Sequence, residues 1–463
     1  MSFCGSIIYC KLGLFGRTIF DKLNAPQTFF IKKRRFWSLY FIMKGIKIRL
    51  FDIVGIAISL LFFFFILSKG YQTCPDSGSY ISNPISRTPL YPLLLDLFQY
   101  LFGDGKYLHI IPIFQALFGL LSCFFLANIL EKRFGVGAGI KYIIFLILLY
   151  PQFRFASCIL TESVTYSLFL LTIAFWTKHI FGKENRDIYL VMLFMFLSIL
   201  TRPQLYFVLP VLFLYILFSI RLKKGLVILS ILIAGIFVND ALQKTYNYIY
   251  HTRYLLSQFG GFSFLPINLY LSKPGDIYLF SDKKEKEFFE RIYRAMDEGK
   301  MLHKYGWKTH GGLESAHFLT FFNPILGSAT TIIDDLYKNE KSNSEIDKWI
   351  KLNRFCSNIS KRLFINNYKK FLKFSVRSIY EVAGFFIFLP ICLLVFGILG
   401  FLKKRGSLSL FSCVISLLSL FNYFLLLLSQ PLWMMRYRFY TDIMIVVVFA
   451  ILPFREIKGE KDG

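Results

Sequence analysis

The residues best equipped for chemistry in this chain are acids, hydroxyls and arginines that stand where apolar runs begin or end. Asp76 lies in "CPDSGSYISNPISRTPLYPLL", residues 74–94, directly after an apolar block, and Ser77, Ser79, Tyr80 and Arg87 share its loop. Glu162 opens a later apolar run in "ILTES", and Arg202 sits between two others in "LTRPQLY". Arg436 and Arg438 precede the last run in "WMMRYRFY". A guanidinium fork matches phosphate oxygens and stays charged, and a carboxylate takes the proton of an attacking hydroxyl. The set therefore suits group transfer from a phosphate to a hydroxyl. Asp76 and Glu162 are the catalytic candidates, Arg87, Arg202, Arg436 and Arg438 the phosphate ligands, and Ser77, Ser79 and Tyr80 the positioning groups.

Each residue also has a plainer explanation. Asp76 between Pro75 and Ser77-Gly78 suits a tight turn; Glu162 favours the positive start of a helix. Arg202 before Pro203 can snorkel to water, and Arg436 and Arg438 can meet lipid phosphates. What these explanations leave over is the grouping. Charges at membrane depth are costly, so acids and arginines gathered at span ends on one side imply a shared polar cavity.

The elements that must position them are membrane helices. The 463 residues are 55% hydrophobic and 19% aromatic, with a mean hydropathy of +0.53. Spanning the hydrocarbon takes ~20 apolar residues, and such blocks recur at 49–68, 108–130, 141–158, 163–181, 188–201, 203–220, 226–239, 383–401, 408–429 and 437–453. The expected fold is an all-α polytopic membrane protein with about ten spans. Lys and Arg concentrate in alternate connections, 131–141, 178–187, 221–225, 403–406 and the tail from 455. Such loops stay in the cytoplasm, which places both termini inside a cell inner membrane. The connections 69–107, 158–162, 201–203, 240–382 and 430–438 then face the periplasm.

This divides the chain into a basic cytoplasmic extension (1–48), a transmembrane module with its first periplasmic loop (49–239, loop 69–107), a mostly helical periplasmic segment (240–382), the last spans (383–453) and a cytoplasmic tail (454–463). Helical patterns are expected at 282–299 and 345–381. The net charge of +26 is carried largely by the leader and the cytoplasmic loops. Anionic lipid heads, not nucleic acid, are its expected partner.

Of eight cysteines, Cys74 and Cys356 fall outside, with Cys158 at the boundary, and there is no C-x-x-C pair. A zinc site or disulfide framework is not expected, although a single Cys74–Cys356 bridge fits this topology. The six histidines, His109, His179, His251, His303, His310 and His317, include no i,i+4 pair for a metal.

Taken together, "DSGSY", "SRTPLYPLLLDLFQYLFG", the outer-end "TES", the later "TRP" and the tail "MRYRFYTDIMIVVV" resemble the GT-C superfamily of multispan glycosyltransferases. The likeness is to bacterial relatives of protein O-mannosyltransferases and of the lipid A aminoarabinose transferase, and covers residues 49 to about 210. The resemblance implies a polyprenyl-phosphate-linked sugar as donor, a glycan, lipid or protein acceptor and inversion at the anomeric carbon. It places the catalytic acid, here Asp76, in the first outer loop with amphipathic helices on the membrane; residues 89–102, with Leu90, Leu94, Leu97 and Leu101 on one side, fit such a helix. The protein O-mannosyltransferases carry two adjacent acids there, whereas Ser77 follows Asp76. Members differ in needing a divalent metal, so metal dependence stays open.

Two other functions compete. A surface-polysaccharide polymerase or ligase would rely on loop arginines and on His303 or His310, with Asp76 dispensable. A transporter or flippase would need an inverted repeat and charges near the midplane, and the sequence has neither.

Overall fold

The computed structural model describes residues 50–82, 84–257, 260–305, 314–338, 344–403, 406–429 and 438–455. The expected leader, His310 and Arg436 lie outside them. The chain divides into two units, residues 1–57 and 58–463, and every element after the first helix belongs to the second.

Every regular element among the described residues is helical, apart from one isolated β-bridge. In order they are α1 (Leu50–Lys69), α2 (Ser77–Ile81), α3 (Leu90–Phe102), α4 (Tyr107–Phe134), α5 (Ala138–Phe155), α6 (Thr161–Gly182), α7 (Asn185–Thr201), a 3-10 turn (Pro203–Phe207), α8 (Val208–Ser219) and α9 (Leu222–His251). Then come α10 (Gly260–Tyr270), a 3-10 turn (Pro274–Leu279), α11 (Lys283–Glu298), α12 (Glu314–Leu336), α13 (Glu345–Ala383), a 3-10 turn (Gly384–Ile387), α14 (Phe388–Leu402), α15 (Gly406–Ser429) and α16 (Phe439–Arg455).

Helices stand at all ten expected span positions, yet fewer meet the length and composition of a full crossing. Six do so, and a seventh if α13 and α14 count as one bent span. The reason is length. At 1.5 Å per residue, a helix of 12–17 residues such as α8, α14 or α16 reaches only about 18–25 Å, short of ~30 Å of hydrocarbon. The opposite happens at 226–239, where α9 extends to 30 residues and carries the helix beyond Asp240.

Helix α6 is buried around most of its circumference, from Thr161 and Glu162 through Trp176 and Ile180. A helix apolar on every side belongs in the interior of a bundle, and α6 packs on α4 and α7. Its neighbours form one large core that includes Leu126, Phe145, Ile199, Leu212, Leu418 and Val448.

A separate core joins α10 to α13 through Phe262, Tyr270, Phe288, Phe318 and Phe371. The two expected helical patterns are α11 and α13. Asp282 caps α11 by accepting from the backbone N–H of Lys284 and Glu285, which satisfies donors the first turn leaves open. Phe288, Phe289, Ile292 and Met296 form its buried stripe. In α13, Asn366 and Asn367 donate to the buried Asp276 carboxylate at 2.9 and 2.7 Å, and Asn367 leaves helical geometry there.

Helix α3 exists as expected, with one side buried and part of its leucine side left outward. Tyr91, Pro92 and Leu95 are buried, while Leu93, Leu97, Tyr100 and Leu101 are exposed. Of the four leucines, Leu97 and Leu101 are left exposed, as a helix lying on a membrane requires, while Leu90 and Leu94 pack partly against the aromatic cluster with Tyr80, Tyr91, Leu95 and Tyr107.

Candidate active site at one end of the bundle

The loop from Lys69 is folded against the start of α6 before any charged group is placed. Gln72 N–H donates to Ser157 O at 2.8 Å, and Ile159 N–H donates to Gln72 O at 3.0 Å. Gln115 of α4 holds the same turn by donating to Ala156 O and Cys158 O, both at 2.9 Å, while Tyr91 OH donates to its Oε1. At the first turn of α6, Ser163 Oγ donates to Gln152 Oε1 of α5, and Gln152 Nε2 donates to Ser167 Oγ at 3.0 Å. Buried polar groups that are fully paired fix a unique arrangement, and here they fix where Glu162 emerges.

Arg202 comes to Glu162 from α7. Pro203 disfavours helical geometry for the residue before it, so Arg202 ends α7 in an extended conformation (φ −154°, ψ 112°). Its Nη1 lies 3.0 Å from Glu162 Oε1, with the acid fully buried and the arginine side chain 12% exposed. Removing one partner of such a pair leaves an uncompensated buried charge and costs about 3–5 kcal/mol.

A second pair stands in the loop. Arg87 Nη2 lies 3.2 Å from Asp76 Oδ1, and these side chains are 19% and 39% exposed. Arg87 Nε donates to Ser79 Oγ at 2.8 Å, Ser79 Oγ donates to Asp76 O at 2.7 Å, and Ser257 Oγ donates to Arg87 O at 3.0 Å. Thr88 Oγ1 donates to Thr201 O at 2.8 Å, which ties this loop to the residue before Arg202.

Tyr80 joins the two pairs. Its ring lies under the Arg87 guanidinium at 4.4 Å, its hydroxyl accepts from Arg87 Nη1 at 3.3 Å, and the same hydroxyl meets Thr161 Oγ1 at 3.3 Å. Thr161 in turn accepts from Arg202 Nη1 at 3.4 Å and donates to Glu162 Oε2 at 3.4 Å. Burial pushes the Tyr80 phenol up, against the pull of Arg202 and Arg87, so it stays a neutral group able to donate and accept.

The structure thus brings Asp76, Ser79, Tyr80, Arg87, Glu162 and Arg202 into one network. Ser77 is buried beside it, its hydroxyl accepting from Cys74 N–H at 2.8 Å. Arg438 pairs instead with Asp442 at 3.0 Å and donates to Val382 O at 3.2 Å. A chain of hydrogen bonds links it to the turn after Arg202: Gln204 donates to Asn422 at 3.4 Å, Asn422 to Thr441 at 3.1 Å, and Thr441 to Arg438 O at 3.2 Å. Asp442, inside an apolar run, was the signal for that second cluster. Thr161 was legible only as the neighbour of Glu162.

Two expectations change here. Cys74 and Cys356 are not bridged, because Cys356 is buried in the α10–α13 core and Cys74 packs with the aromatic cluster beside Tyr80. His303 belongs to another group, with Nε2 3.1 Å from Glu314 Oε2. For a metal, no three of His, Cys, Asp and Glu converge among the described residues; the site carboxylates are met by arginines.

Residues 86–240 match the family model of dolichyl-phosphate-mannose-protein mannosyltransferases. The match includes Arg87, Glu162 and Arg202 and indicates a GT-C glycosyltransferase in a multi-pass membrane protein. Asp76 precedes the matched residues. No curated protein matches the chain. Among solved structures, it is similar to ArnT from Cupriavidus metallidurans bound to undecaprenyl phosphate, at 14% identity and a TM-score of 0.32, over 81% of this chain and 76% of that one.

Proposed function

We propose that the chain transfers a sugar from a polyprenyl-phosphate-linked donor to a hydroxyl of a cell-envelope acceptor, on the periplasmic side of the inner membrane. The observation that carries this reading is the network itself, a half-exposed carboxylate and two arginines held at the end of a membrane bundle. The segment 86–240 supports the donor class, since the family it matches is described by its lipid-phosphate sugar.

In this reading Asp76 takes the proton of the acceptor hydroxyl as its oxygen forms a bond to the anomeric carbon. The bond from that carbon to the phosphate oxygen breaks, and the polyprenyl phosphate leaves with the electron pair. Arg87 and Arg202 meet the charge that develops on the phosphate, where a prepositioned donor stabilises the transition state more than water does. Arg436 and Arg438 are proposed as further lipid-phosphate contacts. Glu162, buried on Arg202, aims that guanidinium; Ser77, Ser79 and Tyr80 hold the loop. A divalent cation is not required by this route, and whether one takes part is a question for chelation assays on the purified protein.

Asp76→Asn tests the reading. It keeps the shape and turn preference of the side chain and removes the proton acceptor, so transfer should fall by ~10²–10⁴ while the protein inserts and accumulates normally. Near-normal transfer by both Asp76→Asn and Asp76→Gly would make Asp76 a turn residue and end its role as base.

A further inference from the structure

The first outer loop and the turn before α6 each bring one thiol to the edge of the network. Cys74 stands two residues before Asp76 and Cys158 three before Thr161. They pack in the same cluster with Tyr80, Tyr91 and Ile159, and the Cys74 thiol is near enough to Cys158 to help push its thiol up. The backbone holds the two segments together, because Gln72, two residues before Cys74, forms a parallel bridge with Cys158. Gln72 also reaches across with its side chain, accepting from Ser157 Oγ at 3.1 Å and from Cys158 Sγ at 4.0 Å.

We propose that Cys74 and Cys158 are a disulfide site, a covalent link between the loop that carries Asp76 and the turn that leads into Glu162.

The oxidant is a small disulfide of the glutathione class. Cys74 is the more exposed of the two, and burial followed by the neighbouring Cys74 thiol pushes the Cys158 thiol up to about 12. Cys74 therefore attacks first, as thiolate, on a sulfur of the oxidant and releases one glutathione thiolate. Cys158 then gives up its proton and attacks Cys74 Sγ in the mixed disulfide, and the second glutathione leaves and takes a proton. Two protein thiols and one oxidised glutathione become one protein disulfide and two reduced glutathiones.

The test needs no enzymatic assay and does not depend on the proposed function. The full chain in detergent is exposed to oxidised glutathione, denatured with an alkylating reagent, digested and read by mass spectrometry. The expected result is a linked peptide pair containing Cys74 and Cys158, lighter by the mass of two hydrogens, with Cys356 alkylated. The pair should persist in Cys356→Ser and vanish in Cys74→Ser. Alkylation of both Cys74 and Cys158 after oxidation, or linkage of Cys74 to another cysteine, would overturn the proposal.

Discussion

Asp76 and Glu162 are both met by arginines, and their surroundings separate what each can do. Glu162 has no exposed surface, whereas Asp76 retains 39% of its side-chain exposure; an acceptor hydroxyl can reach only the second. Arg202 meets Glu162 and Thr161 from its Nη1, and in the proposed role its planar fork also matches phosphate oxygens bidentately, which the point charge of an ammonium does not. Arg202→Lys should therefore lose most transfer activity although the charge is kept, with the protein still accumulating in the membrane. A fully active Lys variant would return Arg202 to an interfacial anchor. The sequence singled out these acids and arginines because charges beside apolar runs are costly, but it held no information on pairing. That Arg87 meets Asp76 while Arg438 meets Asp442 depends on how loops fold back on the bundle.

At the scale of elements, the apolar runs were legible because a spanning helix needs a long uninterrupted stretch. Their ends were not. Polar residues after Asn239, such as Gln243 and Asn247, read as the end of a span, yet both are buried on α9, with Asn247 donating to Leu255 O at 2.7 Å. On α3, leucine spacing marked an apolar side for the membrane but not that Leu90 and Leu94 also lean on the cluster of Tyr91 and Leu95, which only the fold creates. The alternation of basic connections predicts which ends of these helices face out. Ser281 and Glu184 are both exposed and fall in opposite sets of loops. In intact spheroplasts an impermeant thiol reagent should label Ser281→Cys and leave Glu184→Cys unlabelled until the membrane is opened. Labelling with the reverse preference would invert the topology and move the network to the cytoplasmic side.

For the whole molecule, the network lies where two kinds of structure meet: a bundle centred on α6, and the helices after α9. Ser257 brings the connection between α9 and α10 onto Arg87, and Arg253 in that connection is held to Asp347 of α13 by bonds of 2.7 to 2.9 Å. In the proposed reading the bundle end presents the lipid phosphate and the helical segment bounds the space for the acceptor. Sugar transfer onto the cell envelope is measured most directly by mass spectrometry of envelope glycans from a strain lacking this chain. One glycan structure should lose a single sugar, and the wild-type chain should restore it while Asp76→Asn does not. An unchanged glycan profile in the deletion strain, or full restoration by Asp76→Asn, would contradict a transferase that uses Asp76 as its base.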